Sequence, residues 1–181
     1  MEKFFGKYRA TVINNIDPEV RGRLILNVPD VLGIIPSSWA EPNMPLIGSV
    51  TGAMGVYMVP PIGAGVWVEF EQGNPNYPIW AGCRTTNSSD IPPKALLGNP
   101  AIPNVVIQVG QNKIIINDTV VPPTPKTGGI TIESATGASI IVNDSGIYID
   151  NGKGASINMI GPAIKISGKP VNINEGALNI I

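Results

Sequence analysis

From Ser139 to Asn174 the chain reads SIIVNDSGIYIDNGKGASINMIGPAIKISGKPVNIN. Isoleucine or valine recurs on every second residue for a few positions. Gly, Asn, Asp, Lys or Pro then breaks the run, and the pattern restarts. The same apolar-x-apolar pairs run through the C-terminal part as Ile107/Val109, Ile114/Ile116, Ile130/Ile132, Ile140/Val142, Ile147/Ile149, Ile157/Met159, Ile164/Ile166 and Val171/Ile173. Successive pairs start 7, 16, 10, 7, 10, 7 and 7 residues apart, the 16 holding the loop NDTVVPPTPKTGG. A period-2 pattern in such short pieces predicts short strands joined by tight turns.

Bulk decides what these strands can build. Residues 105–181 contain seventeen isoleucines and one aromatic, Tyr148. A β-sandwich fills a layer about 10 Å thick and normally spends aromatics on it. A single-chain β-helix needs roughly 18 or more residues per turn, more than this spacing supplies. If three chains each contribute one side of a triangular prism, one strand and a turn per layer suffice. The spacing therefore predicts an intertwined homotrimer in which strands gain neighbours from other chains and lose their exposed edges. The alternative is a hairpin meander packed on the first domain. The expected trimer core is Ile132, Ile140, Val142, Ile147, Ile149, Ile157, Ile164, Ile166, Val171 and Ile173. Periodicity leaves one point open, because Ile140 and Val142 compete with Ile141 for the inward face.

The first part differs. Nine of the ten aromatics precede residue 81 and all four arginines precede residue 85. Strands alternate in KYRATVINN (Tyr8, Ala10, Val12), GRLILNVPDV (Leu24, Leu26, Val28) and GAGVWVEFEQG (Val66, Val68, Phe70), with YPIWAGC as a short last strand. About five strands in ~80 residues around an aromatic core predict a small OB-fold barrel. The expected organisation is residues 1–84 as the OB-fold, 85–104 as a Pro/Ser/Asn-rich linker with one short helical turn, and 105–181 as the repeat.

Composition removes whole classes of chemistry. The chain has no histidine, which excludes His general acid/base catalysis, His-activated nucleophiles and His metal sites. One cysteine, Cys83, excludes an intrachain disulfide and thiolate zinc sites, and in IWAGCR it reads as a small buried residue. Asp118, Glu133, Asp144, Asp150 and Glu175 are scattered over turns and strand flanks rather than paired for glycoside chemistry. GSVTGAMG lacks the lysine and following helix of a phosphate loop. No catalytic, cofactor or metal residue is expected. A charge of −1 with only 14% charged residues gives no basic stripe for nucleic acid and fits surface buried between subunits. No apolar run nears the ~18 residues of a membrane span, and MEKFFGKYRA lacks the order of a signal peptide, so synthesis in the cytoplasm is expected.

The set Gly22-Arg23-Leu24, Trp39-Ala40, Pro61-x-Gly63, Val66-x-Val68-x-Phe70, Gly73-Asn74-Pro75, Pro78 and Gly82 resembles the OB-fold of phage baseplate spike proteins. That family includes phage baseplate assembly protein V, the hub-spike protein of T-even phages and the Vgr spikes of type VI secretion. Asn74 stands where the family usually has an acidic residue. The repeat and the ending VNINEGAL look like the family's spike β-helix. No lysozyme domain separates the two parts, as it does in T-even spikes. No His-x-His motif is present to hold apical iron.

The resemblance implies an all-β chain: a five-stranded OB-fold barrel followed by an intertwined triple-stranded, trimeric β-helix. It implies a structural, non-enzymatic spike that joins hub and baseplate, plugs the inner tube and pierces the target cell envelope. It also implies a PAAR-type tip protein docked on the apolar terminal residues Leu178, Ile180 and Ile181. Two other classes compete: a tail-associated peptidoglycan or polysaccharide-degrading enzyme, and an OB-fold nucleic-acid-binding module.

Overall fold

Alternation governs both halves of the chain, with different outcomes. The computed structural model describes residues 2–49, 52–97, 99, 101–124, 127–173 and 178–180, with the side chains of 172–173 and 178–180 left aside. The backbone divides into two units, Met1–Ser88 and Ser89–Ile181.

In the first unit β1 (Tyr8–Asn14), β2 (Ile25–Asn27), β3 (Glu41–Pro42), β6 (Gly65–Phe70) and β7 (Pro78–Cys83) form a five-stranded sheet in the order β2-β1-β6-β7-β3. Only β3 runs parallel to its neighbour. An isolated bridge joins Leu24 to Ala40, on the segments leading into the two edge strands, through two backbone hydrogen bonds of 3.1 and 2.7 Å. β4 (Ile47–Ser49) and β5 (Ala53–Gly55) form a separate hairpin, and Pro29–Leu32 makes a single helical turn, α1.

Along β1, β2, β6 and the first half of β7, alternate residues point inward. Ala10, Val12, Leu24, Leu26, Val28, Val66, Val68, Phe70 and Trp80 make the core, joined by Ala40. Full burial of such a Val or Leu is worth ~1.5–3 kcal/mol. Phe4, Tyr8 and Phe70 close one end with ring centroids 5.7–6.3 Å apart. The buried Trp80 indole donates to the carbonyl of Gly22 at 3.0 Å, which satisfies its one donor.

Cys83 departs from its expected burial and is exposed. The β6–β7 register shifts between Val66 and Val68, so the alternation that buries Trp80 does not continue to the strand's end.

In the second unit β8 (Asn104–Val109), β9 (Asn112–Asn117), β10 (Gly129–Glu133), β11 (Ser139–Asn143), β12 (Gly146–Asp150), β13 (Ser156–Ile160) and β14 (Ala163–Ser167) form one antiparallel meander in chain order. β15 (Val171–Ile173) pairs with β16 (Leu178–Ile180). A 3-10 turn at Pro93–Leu96 lies just before β8. Asx chemistry makes the turns: the Asn143 side-chain oxygen accepts from the N–H of Ser145 at 2.9 Å and of Gly146 at 3.2 Å.

Each of β9 to β13 is hydrogen-bonded on both sides to neighbouring strands of its own chain. A hairpin partner is close in sequence and costs little loop-closure entropy, so the chain completes its own ladder first. Other copies can meet this sheet through its faces and outer edges.

Candidate assembly surface

The register across the meander is unbroken. Ile107 pairs with Ile114, and the row continues through Ile132, Ile140, Ile149, Ile157 and Ile166. Two residues away on the same face run Val105, Ile116, Ile130, Val142, Ile147, Met159 and Ile164. These fourteen apolar side chains cover one face of all seven strands. Thirteen of them are 36–70% exposed in the single chain. Soluble monomers rarely leave an apolar patch this continuous uncovered. Covering the exposed half of one such side chain is worth ~1 kcal/mol, and the whole face ~10 kcal/mol per chain.

The other face is built differently. Ile115, Thr131 and Ile141 pair in register and are buried within the chain. Beside them Lys113 pairs with Glu133 at 3.3 Å. Val121 and Thr124 of the long β9–β10 loop are buried too. Thus Ile140 and Val142 lie on the exposed apolar face, and Ile141 on the covered one.

Of the residues expected in a trimer core, Ile132, Ile140, Val142, Ile147, Ile149, Ile157, Ile164 and Ile166 share the exposed face. Val171 is half-buried and belongs to the separate β15–β16 pair, as does Ile173, whose side chain is outside those described. Leu178 and Ile180 lie in β16, again with side chains outside the described ones, and Ile181 lies outside the described residues. The face also holds Val105, Ile107, Ile114, Ile116, Ile130 and Met159, which the expected core omitted. Their signal was the same apolar-x-apolar pairing, extended across the loop at 118–128.

Polar groups in the first unit hold loops in place. The Asp17 carboxylate accepts from the backbone N–H of Glu19, Arg21 and Arg23 at 2.8–3.2 Å. The Arg23 guanidinium donates to it at 2.7 and 3.1 Å, and lies 5.5 Å from the Trp39 ring centroid. Arg23 above all, then the backbone donors, hold the Asp17 carboxyl well below the usual carboxylate range. In the second unit Asp150 accepts from the Gly152 N–H, a turn role. Among the described residues no group of three or more His, Cys, Asp or Glu could hold a metal. No described helix is long and apolar enough to cross a membrane.

An aromatic-cored small β domain followed by a sheet with one uncovered apolar face defines a structural protein that assembles through its C-terminal half. Residues 8–84 match the type VI secretion system/phage-baseplate injector OB domain, and residues 104–179 match the phage baseplate V C-terminal trimerisation domain. The chain carries both domains in order and belongs to the phage baseplate V and type VI injector spike family, as a homotrimer-forming part of a tail or injection-particle baseplate. No curated protein matches it.

Proposed function

We propose that the protein is the central, membrane-piercing spike of a contractile injection machine, and that its role is mechanical rather than enzymatic. The apolar face of β8–β14 carries this reading. Three such sheets, each already paired within its own chain, enclose a dry Ile/Val core when their exposed faces turn inward as a triangular prism. This is a trimeric β-helix in which each chain supplies one wall. The five-stranded sheet of the first unit, with its edges bridged at Leu24 and Ala40, serves as a closed OB barrel at the needle's base. Residues 85–104 act as the connection.

In this reading the OB-folds meet the baseplate hub protein beneath the inner tube. A PAAR-type tip protein caps the distal end at Leu178, Ile180 and Ile181. Sheath contraction drives the assembly into the target envelope. The absence of histidine leaves no general base near neutral pH of the usual kind, which supports a passive part.

Gold labelling of a C-terminal tag on intact and contracted particles tests the placement. Label at the leading end of the tube in both states is expected. Label along the sheath, or lost before contraction, overturns the proposal.

A further inference from the structure

The first unit exposes a second apolar feature that its fold does not use. The β4–β5 hairpin and its flanks present Leu46, Ile47, Met54, Val56, Tyr57 and Met58, each 50–63% exposed. Its root is fixed: Met44 and Val59 pack against the core, and a Cβ on Gly22 would stand 2.8 Å from the Met44 methyl. Gly55 sets the hairpin itself, because at its φ of 152° a Cβ would stand 2.5 Å from the Leu46 carbonyl oxygen. The result is an anchored finger with both faces bare.

Charge identifies what covers it. From Pro42 to Val68 the chain has no Asp, Glu, Lys or Arg, a run of 27 residues. The preceding 41 residues carry ten charges, and Glu69 and Glu71 follow at once. Around a three-fold axis each side chain meets two copies of itself, so any charge there repels its own kind. A charge-free, apolar finger suits that position. A surface for a different protein gains steering and register from charge, which this finger lacks.

Proximity favours the same partner. The trimerisation domain begins at residue 104 and the first unit ends at Ser88. Fifteen intervening residues span at most ~50 Å. Three fingers are therefore held together at millimolar effective concentration, where a small homotypic contact suffices.

We infer that the β4–β5 fingers of the three chains pack against one another, forming a second inter-chain contact in the first unit. This rests on the homotrimer, and the test separates the two. Met54→Cys and Ile47→Cys are made in a Cys83→Ser background, with Ile34→Cys as an exposed apolar control on another loop of the same unit. Mild oxidation is followed by denaturing gels, and light scattering on the same samples reports mass.

Disulfide-linked dimers at Ile47 or Met54, at least tenfold faster than at Ile34, are expected in a trimeric sample. A trimer without that preference overturns the finger contact alone. So does crosslinking that is absent in the free trimer while Met54 is shielded in whole particles, which assigns the finger to another baseplate protein. A monomeric sample overturns both. Ile47→Glu gives a second readout. It should lower the midpoint of the first unit's thermal transition at low salt, with recovery in high salt. An unchanged midpoint at low salt contradicts the contact.

Discussion

Thr131 is fully buried between Ile115 and Ile141, and its hydroxyl has no hydrogen-bond partner among the described residues. Burial of an unpaired hydroxyl costs ~1–3 kcal/mol, and valine has the same shape without it. Thr131→Val should therefore stabilise the second unit by ~1 kcal/mol or more, read as a higher midpoint in thermal unfolding. Asp17 sets a different test. Its carboxyl is held below the ordinary range by Arg23, so its contribution is complete above the unfolded value of ~3.9 and is lost as pH falls below it. All three tryptophans lie in the first unit, so their fluorescence follows its unfolding. Between pH 6 and pH 2.5 the wild type should lose more of its urea midpoint than Asp17→Asn does. Equal losses would remove the ion pair from the account.

At the scale of elements, the turns carry the register. Gly146 has a φ of 151°, and a Cβ there would stand 2.2 Å from the Met159 carbonyl oxygen. Gly146→Ala should cost more than ~1 kcal/mol and speed amide exchange in β12 and β13 before other strands. Exchange that quickens uniformly would place the defect elsewhere.

Period-2 alternation makes these elements legible in the sequence. Tyr8, Ala10 and Val12, then Leu24, Leu26 and Val28, then Val66, Val68 and Phe70 point inward as their spacing implies, and each apolar pair of the repeat falls within a single strand. Alternation does not carry information about partners, however. Ile140, Ile141 and Val142 are equally apolar, and only the burial of Ile141 within the chain separates the two faces. Nor does it reveal whether a ladder closes within one chain or between chains. Bulges are silent as well, which is why Cys83 reads as buried and is not. The finger of β4 and β5 has little alternation to read, because glycines at 48, 52 and 55 interrupt it.

For the whole molecule, low charge, scarce aromatics and absent histidine converge on one explanation. Most of the apolar surface of the second unit has no role in a single chain and every role in three. Ile149 sits inside the all-isoleucine row, flanked in register by Ile140 and Ile157. Ile149→Asp places three carboxylates together in the proposed core, at several kcal/mol each. Ile166→Asp, one row end away, should act the same way with less effect because Ile166 lies on the outer strand β14.

The most direct test is the solution mass of wild type and Ile149→Asp by light scattering. The chain is 19.0 kDa. The account predicts a trimer of about 57 kDa for wild type and the monomer mass for the variant. A variant that remains a soluble trimer with the wild-type unfolding midpoint would contradict it, because the isoleucine rows would then face away from the other chains.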